Sequence, residues 1–141
     1  MELLKTFWSP ARGDNFTAST TQGEGSAYAA GYSFVRNEGY VYDYQAPGTV
    51  PLKLFWNPER GDNYSTATRE GEISAYAAGY SFVRNEGYVF PYRAYGTVPL
   101  KLFWSPERGD NFTTATREGE VSAYAANYRF VRNEGYIYPI R

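Results

Sequence analysis

VPLKLFWNPERGDNYSTATREGE, at residues 50–72, returns at residues 98–120 as VPLKLFWSPERGDNFTTATREGE and is matched at residues 2–24 by ELLKTFWSPARGDNFTASTTQGE. The three segments lie 48 positions apart, so the chain of 141 residues is filled by three copies of one unit, at about 1–49, 50–97 and 98–141. Such a period determines the architecture before any local pattern is considered.

One copy is too small to be expected to fold alone. A unit of about 50 residues without disulfides or a metal buries little apolar surface. The whole chain has the usual size of one domain, and 43% of its residues are hydrophobic. The linkers are short and contain Pro and Gly, as at residues 46–49 and 94–97. We therefore expect residues 1–141 to form a single domain of three packed repeats.

The middle copy shows the elements of each unit. Residues 50–56 alternate and are rich in β-formers, which predicts a strand, and residues 57–62 predict a hairpin turn closed by a left-handed Gly61. A returning strand follows at residues 63–68. Residues 69–78 predict a short helix capped by Thr68, with one face formed by four residues at helical spacing. These four are Ile73, Tyr76, Ala77 and Tyr80.

The second half of the unit has a stop signal and more β-structure. Gly31 and Gly79 lie where a helix ends, and Asn127 takes that position in the third copy, which predicts a left-handed residue there. Residues 81–84 and 88–90 predict two strands around a turn. One long strand with a bulge at Gly87 is the alternative.

Four strands in each of three units would give twelve strands. That number, with the length and the threefold repetition, resembles the β-trefoil. We therefore expect a mainly β, threefold-pseudosymmetric domain, β-trefoil-like, with one short helix per repeat. A three-bladed propeller-like ring is the alternative. The likeness is architectural, because the Gln-x-Trp signature of ricin-type trefoil lectins is absent.

A local motif carries a second resemblance. Residues 61–64, then Gly79-Tyr80, then Glu86-Gly87 resemble repeats of secreted bacterial and fungal surface proteins that read Gly-Asp-His-Phe-Tyr-Thr, Gly-Tyr and Glu-Gly. That resemblance implies surface recognition without a defined activity. Asn63 replaces the His of the pattern, so no role of that His is carried over.

Composition excludes several classes of function. Cysteine and histidine are absent, which removes thiol chemistry, the commonest metal ligand and the commonest general base. We expect no cofactor and no metal. A net charge of −1 without a Lys/Arg cluster argues against nucleic acid. No apolar run is long enough for membrane insertion, and residues 1–5 lack the features of a signal peptide, so a cytoplasmic location is expected.

The first candidate site is the polar pair beside the hairpin turn, together with the tryptophan of the preceding strand. An ionised Asp accepts hydrogen bonds from vicinal hydroxyls, an Asn both donates and accepts, and an aromatic ring covers the apolar face of a sugar. Against this, the Asp can cap its own turn, and strand parity puts Trp56 on the face of Leu52 and Leu54. The candidate ligand-binding residues are Asp14, Asn15, Asp62, Asn63, Asp110, Asn111, Trp8, Trp56 and Trp104.

A second polar cluster follows the helix in every copy. An arginine precedes it, and Arg84 and Glu86 are expected to pair. Polar loop residues are also commonly only solvated. The cluster consists of Asn37, Glu38, Tyr40, Asn85, Glu86, Tyr88, Asn133, Glu134 and Tyr136.

These patterns favour binding over catalysis. Three near-identical binding sites raise avidity for clustered ligands, whereas three near-identical active sites on a small domain serve no evident purpose. The expectation is a non-enzymatic, carbohydrate-binding lectin with up to three equivalent sites for multivalent glycans. The alternatives are a protein-binding or inhibitor module of trefoil type, and a purely structural or engineered repeat protein.

Overall fold

The computed structural model describes residues 1–140, and its elements repeat in the order strand, strand, helix, strand. The first copy contains β1 (Glu2–Ser9), β2 (Asp14–Ala18), α1 (Thr21–Ala29) and β3 (Ser33–Val41). The second contains β4 (Val50–Asn57), β5 (Asp62–Thr66), α2 (Arg69–Ala77) and β6 (Ser81–Val89). The third contains β7 (Val98–Ser105), β8 (Asp110–Thr114), α3 (Arg117–Ala125) and β9 (Arg129–Ile137).

Each copy builds one antiparallel sheet of three strands, in which the first strand lies between the other two. The sheet orders are β2-β1-β3, β5-β4-β6 and β8-β7-β9. The expectation of a mainly β chain with one short helix per repeat is confirmed. The described residues contain nine strands and not twelve, and their sheets do not close into a barrel.

The strand count differs because the last two predicted strands are one. β6 runs through residues 85–87, and its pairing with β4 shifts between Pro51 and Lys53. Gly87 has φ 108° at this irregularity, and a Cβ there would lie 2.6 Å from Val41 of the first copy. The bulged-strand alternative is therefore confirmed, and it allows the first and second copies to approach closely.

The helices pack through their smallest residues. Gly71 and Ala75 are the buried residues of α2, whereas Ile73 and Tyr76 are more than half exposed. The predicted apolar face is therefore wrong. A Cβ on Gly71 would lie 1.8 Å from Thr66 Oγ1, so the helix lies too close to the sheet for a larger residue. Each helix has nine residues, which is too short to cross a bilayer.

The predicted helix ends are confirmed. The Thr68 side chain accepts a hydrogen bond from the backbone N–H of Gly71, as an N-cap does. Gly31, Gly79 and Asn127 have φ of 83°, 84° and 67°. Gly and Asn occupy this position because they tolerate left-handed backbone with little strain.

The three copies share one central core and join in a cycle. The central cluster takes two buried residues from every copy, namely Leu4, Val41, Leu52, Val89, Leu100 and Ile137. Isolated bridges link β3 to the chain after β9, β6 to the chain after β3, and β9 to the chain after β6. Every copy therefore contacts both others in an equivalent way, as expected for threefold pseudosymmetry.

Candidate functional site

The three aspartates of the first candidate site lie in the interior. Asp14, Asp62 and Asp110 are each 1% exposed, and one carboxylate oxygen from each lies within 4.8 Å of the other two. They begin β2, β5 and β8, which contact one another where the three copies meet. Their expected role as exposed sugar ligands is therefore wrong, because the side chains point inward from the hairpin.

A ring of hydrogen bonds between copies engages these carboxylates. The backbone N–H and the side-chain Nδ2 of Asn63 donate to Oδ1 and Oδ2 of Asp14, at 3.0 Å and 2.7 Å. The Tyr32 hydroxyl also donates to Asp14. Asn111 makes the same two bonds with Asp62, and Asn15 makes them with Asp110. The aspartates therefore act as a structural junction, which we call the aspartate triad.

Burial dominates the electrostatics of the triad. Burial, followed by the charge of Asp110, raises the pKa of Asp62 to about 7. Burial and the neighbouring aspartates raise the pKa of Asp14 well above its usual range, and burial raises the pKa of Asp110. Three carboxylates so close cannot all ionise at low cost, so the triad retains protons that isolated aspartates would release. Both oxygens of each carboxylate already accept hydrogen bonds within the protein.

The glutamates of the second candidate cluster are buried as well. Glu38, Glu86 and Glu134 are fully inaccessible, so their expected role in a ligand site is wrong. Glu86 Oε1 accepts hydrogen bonds from the backbone N–H groups of Ser19 and Thr20 at 2.8 Å and 3.0 Å. Its Oε2 pairs with Arg84 at 3.1 Å, as expected. These glutamates form a second junction because each reaches the segment before the helix of another copy.

The remaining members of that cluster lie at the surface. Asn85 and Asn133 are exposed, Asn37 is half-buried, and Tyr40, Tyr88 and Tyr136 are half-buried. Asn85 and Tyr88 line a polar cleft of about 340 Å³. The structure therefore brings the asparagine and the tyrosine of the second copy together and separates them from Glu86.

Two of the three tryptophans, Trp8 and Trp56, line clefts between copies. Trp8, Trp56 and Trp104 are half-buried, although strand parity predicts Trp56 in the core. Trp56 lies on the same face as Leu54, as parity predicts, and both line a cleft against the first copy, whereas Phe55 on the opposite face packs in the core of its own copy. We call the clefts A (third and first copies, with Trp8) and B (first and second copies, with Trp56), and we give the name cleft C to the equivalent region around Trp104, where Arg60 of the second copy stacks on the ring of the third.

Clefts A and B have equivalent walls. Cleft B has a volume of about 290 Å³, and Arg12, Tyr32, Trp56, Asn63 and Arg84 lie among its lining residues. Cleft A has about 230 Å³ and contains the corresponding Arg108, Tyr128, Trp8, Asn15 and Arg36. The tryptophan and asparagine of the first candidate site therefore do meet in one surface cleft, without the aspartate.

The hairpin arginine is the residue that the sequence interpretation missed. Arg12, Arg60 and Arg108 lie in the hairpin turns, and the predicted turn is confirmed by φ of 65°, 67° and 66° at the glycines that follow them. Each arginine stacks on the tryptophan of the following copy, at 5.0–5.3 Å from the ring centroid. The sequence does show that an arginine and a tryptophan recur once in every repeat. It does not show that the arginine of one copy contacts the tryptophan of the next.

Comparison with known proteins identifies a family but no activity. The model of a family described as a domain of unknown function, DUF5648, matches residues 3–138. No curated protein and no solved structure matches the chain significantly. Geometry is therefore the only basis on which a function can be assigned.

Proposed function

The chain belongs to the DUF5648 family, and from its clefts we propose that it is a carbohydrate-binding lectin with up to three equivalent sites. The sites are clefts A, B and C and not the exposed tips of the hairpins. The observation that carries the proposal is the composition of cleft B, in which an indole ring and an asparagine lie beside the guanidinium groups of Arg12 and Arg84. Ligand pockets combine aromatic walls with a few placed polar groups, and the two guanidinium groups supply the hydrogen-bond donors for sugar hydroxyls here.

The repetition supports binding to clustered glycans. Clefts A and B have volumes of only about 230 Å³ and 290 Å³, so a single site is expected to bind weakly. Three sites on one rigid domain can raise avidity by roughly 10²–10⁴ when the ligands are spaced to match. We further propose that the three sheets are arranged in a β-trefoil-like manner, with a three-bladed ring as the alternative.

Burial of the carboxylates supports a binding role over hydrolysis. Asp62 and Glu86, the carboxylates of the two candidate sites in the second copy, are at most 1% exposed. Neither can approach a glycosidic bond without disruption of a junction between copies. A protein that binds glycans without cleaving them is consistent with this arrangement.

Glycan binding is tested on an array, followed by titration under tryptophan fluorescence. Trp8 and Trp56 line clefts A and B, and Trp104, the third tryptophan of the chain, holds the equivalent position, so a ligand in the clefts should change the emission. The variant Trp56→Phe should weaken binding at cleft B, and Phe82→Ser, at an exposed position outside the cleft lining, is the control. Absence of binding to every glycan would contradict the proposal.

A protein-binding module is the second candidate, and one observation favours it. Every copy exposes apolar side chains from its third strand and its helix, as Phe82, Val83 and Tyr76 do at 47%, 40% and 56%. Repeated exposed apolar residues are typical of interaction surfaces. If Phe82→Ser abolishes binding to a cell-surface extract while Trp56→Phe has no effect, this second function replaces the first.

A further inference from the structure

The arginine of each hairpin is held in a fixed position by aromatic rings. The Arg12 guanidinium lies 5.0 Å from the centroid of Trp56 and 5.6 Å from that of Tyr32, and its Nη1 donates to the Tyr32 hydroxyl at 3.3 Å. Arg60 and Arg108 have the equivalent partners, a tyrosine of their own copy and the tryptophan of the following copy. A guanidinium has five N–H donors, so most of them remain available to a ligand.

These arginines have no acidic partner of their own. The ion pairs among residues 1–140 involve Lys5, Lys53, Lys101, Arg36, Arg84 and Arg132. Arg12 approaches a carboxylate only through the Tyr32 hydroxyl, which separates it from Asp14. A fixed cation without a counter-ion, at the mouth of a cleft, is suited to an anionic group of a ligand.

A second arginine completes the cation pair of the cleft. Arg84 lines cleft B, and its Nη1 donates to the buried Glu86 at 3.1 Å, which holds the guanidinium at the wall. Arg36 lines cleft A in the same way and pairs with Glu38. The charge here is local, because the whole chain has a net charge of −1. Non-specific attraction of polyanions is therefore not expected.

We propose that the clefts bind an anionic saccharide, and that Arg12, Arg60 and Arg108 bind its carboxylate or sulfate group. This inference rests on the proposed lectin function and adds the class of sugar. The guanidinium fork binds the acid group in bidentate fashion, while the tryptophan edge and the asparagine contact the rest of the ring. Uronates, sialates and sulfated sugars share this chemistry.

The test compares acidic and neutral glycans on one array and then removes the arginines. Arg12→Gln, Arg60→Gln and Arg108→Gln are combined in one variant, and circular dichroism checks its fold. Loss of a charge-assisted hydrogen bond should weaken binding of the best acidic glycan by roughly tenfold or more. Carboxyl reduction and desulfation of that glycan then identify which acid group is bound.

The control removes equal charge outside the clefts, through Arg69→Gln, Arg93→Gln and Arg117→Gln, and should bind like the parent. If the cleft variant misfolds, salt dependence of the parent decides, since a rise from about 0.05 M to about 0.5 M salt must weaken binding to an acidic glycan. Equal binding of neutral and acidic glycans, or unaltered binding by the cleft variant, overturns the inference and leaves the lectin function intact. Binding to no glycan overturns both.

Discussion

Asn63 of the second copy donates two hydrogen bonds to Asp14 of the first, from its backbone N–H at 3.0 Å and from Nδ2 at 2.7 Å. The relationship recurs around the molecule, so each copy depends on its neighbour to satisfy a buried carboxylate. The same residues that suggest a sugar site in one linear copy thus serve to join copies. Specific pairing of this kind explains how short linkers suffice to assemble the domain.

Removal of one such donor should destabilise the whole domain. Asn63→Ala leaves Asp14 with fewer partners in a buried site, and we expect the free energy of unfolding to fall by about 2 kcal/mol or more. Asn85→Ala, at an exposed position, should change it by less than about 0.5 kcal/mol. Urea unfolding measures both values, and equal stability of the two variants would contradict the junction.

The aspartate triad should make stability fall as pH rises toward neutrality. With a pKa of about 7 in the folded protein, Asp62 holds a proton that the unfolded chain releases near pH 4. The folded state therefore binds more protons between these values, and its free energy of unfolding should decrease by about 1 kcal/mol per pH unit there. Above about pH 7 the contribution of Asp62 to this dependence should level off. Urea unfolding at several pH values measures the slope.

An Asp62 variant tests whether the aspartate triad causes this pH dependence of the free energy of unfolding. Asp62→Asn removes one titrating group and relieves repulsion among the carboxylates, so the slope between pH 5 and pH 7 should flatten. Glu70→Gln, at an exposed helix position, should leave the slope unchanged. A parent protein whose stability rises steadily from pH 5 to pH 7 would show that the triad is ionised throughout.

Two glycines inside helices should respond oppositely to alanine. Gly71 and Gly25 both lie inside helices, but a Cβ would meet Thr66 Oγ1 at 1.8 Å at Gly71 and nothing within 4 Å at Gly25. Gly71→Ala should therefore destabilise the protein, whereas Gly25→Ala should stabilise it by about 0.4–1 kcal/mol. Thermal unfolding of the two variants compares them directly, and the same sign for both would contradict the close packing of α2.

The period and turn chemistry of the sequence predicted the units, the hairpins and the helix ends. The helix ends were predictable because a positive φ after a helix is a local requirement, and Gly31, Gly79 and Asn127 are of the residue types that tolerate it. The helix face was missed because contact through Gly71 and Ala75 leaves no apolar periodicity. The site was misplaced because the burial of Asp62 and the stacking of Arg60 on Trp104 both depend on a neighbouring copy.

Cleft C differs from the other two by one hydroxyl. Phe16 and Phe112 line clefts B and A, and Tyr64 stands at the corresponding position of cleft C. The Tyr64 hydroxyl accepts a hydrogen bond from Arg132 Nη1 at 2.8 Å, in addition to the bond between Arg132 and Glu134 at 2.9 Å. An anionic ligand must displace or share this donor, so three identical affinities are not expected.

Substitutions that remove or add this hydroxyl should therefore change the binding isotherm of an acidic glycan. We expect the parent to bind an acidic glycan at two equivalent sites and one weaker site, because Arg132 of cleft C already donates a hydrogen bond to Tyr64. Tyr64→Phe should free Arg132 and give three equal sites, with a gain at cleft C of about 0.5–1.5 kcal/mol for the competing hydrogen bond. Phe112→Tyr is the matched control, since it installs the hydroxyl in cleft A and should leave one strong site. Calorimetry resolves the site classes, and an isotherm that neither substitution alters would show that the ligand binds outside these clefts.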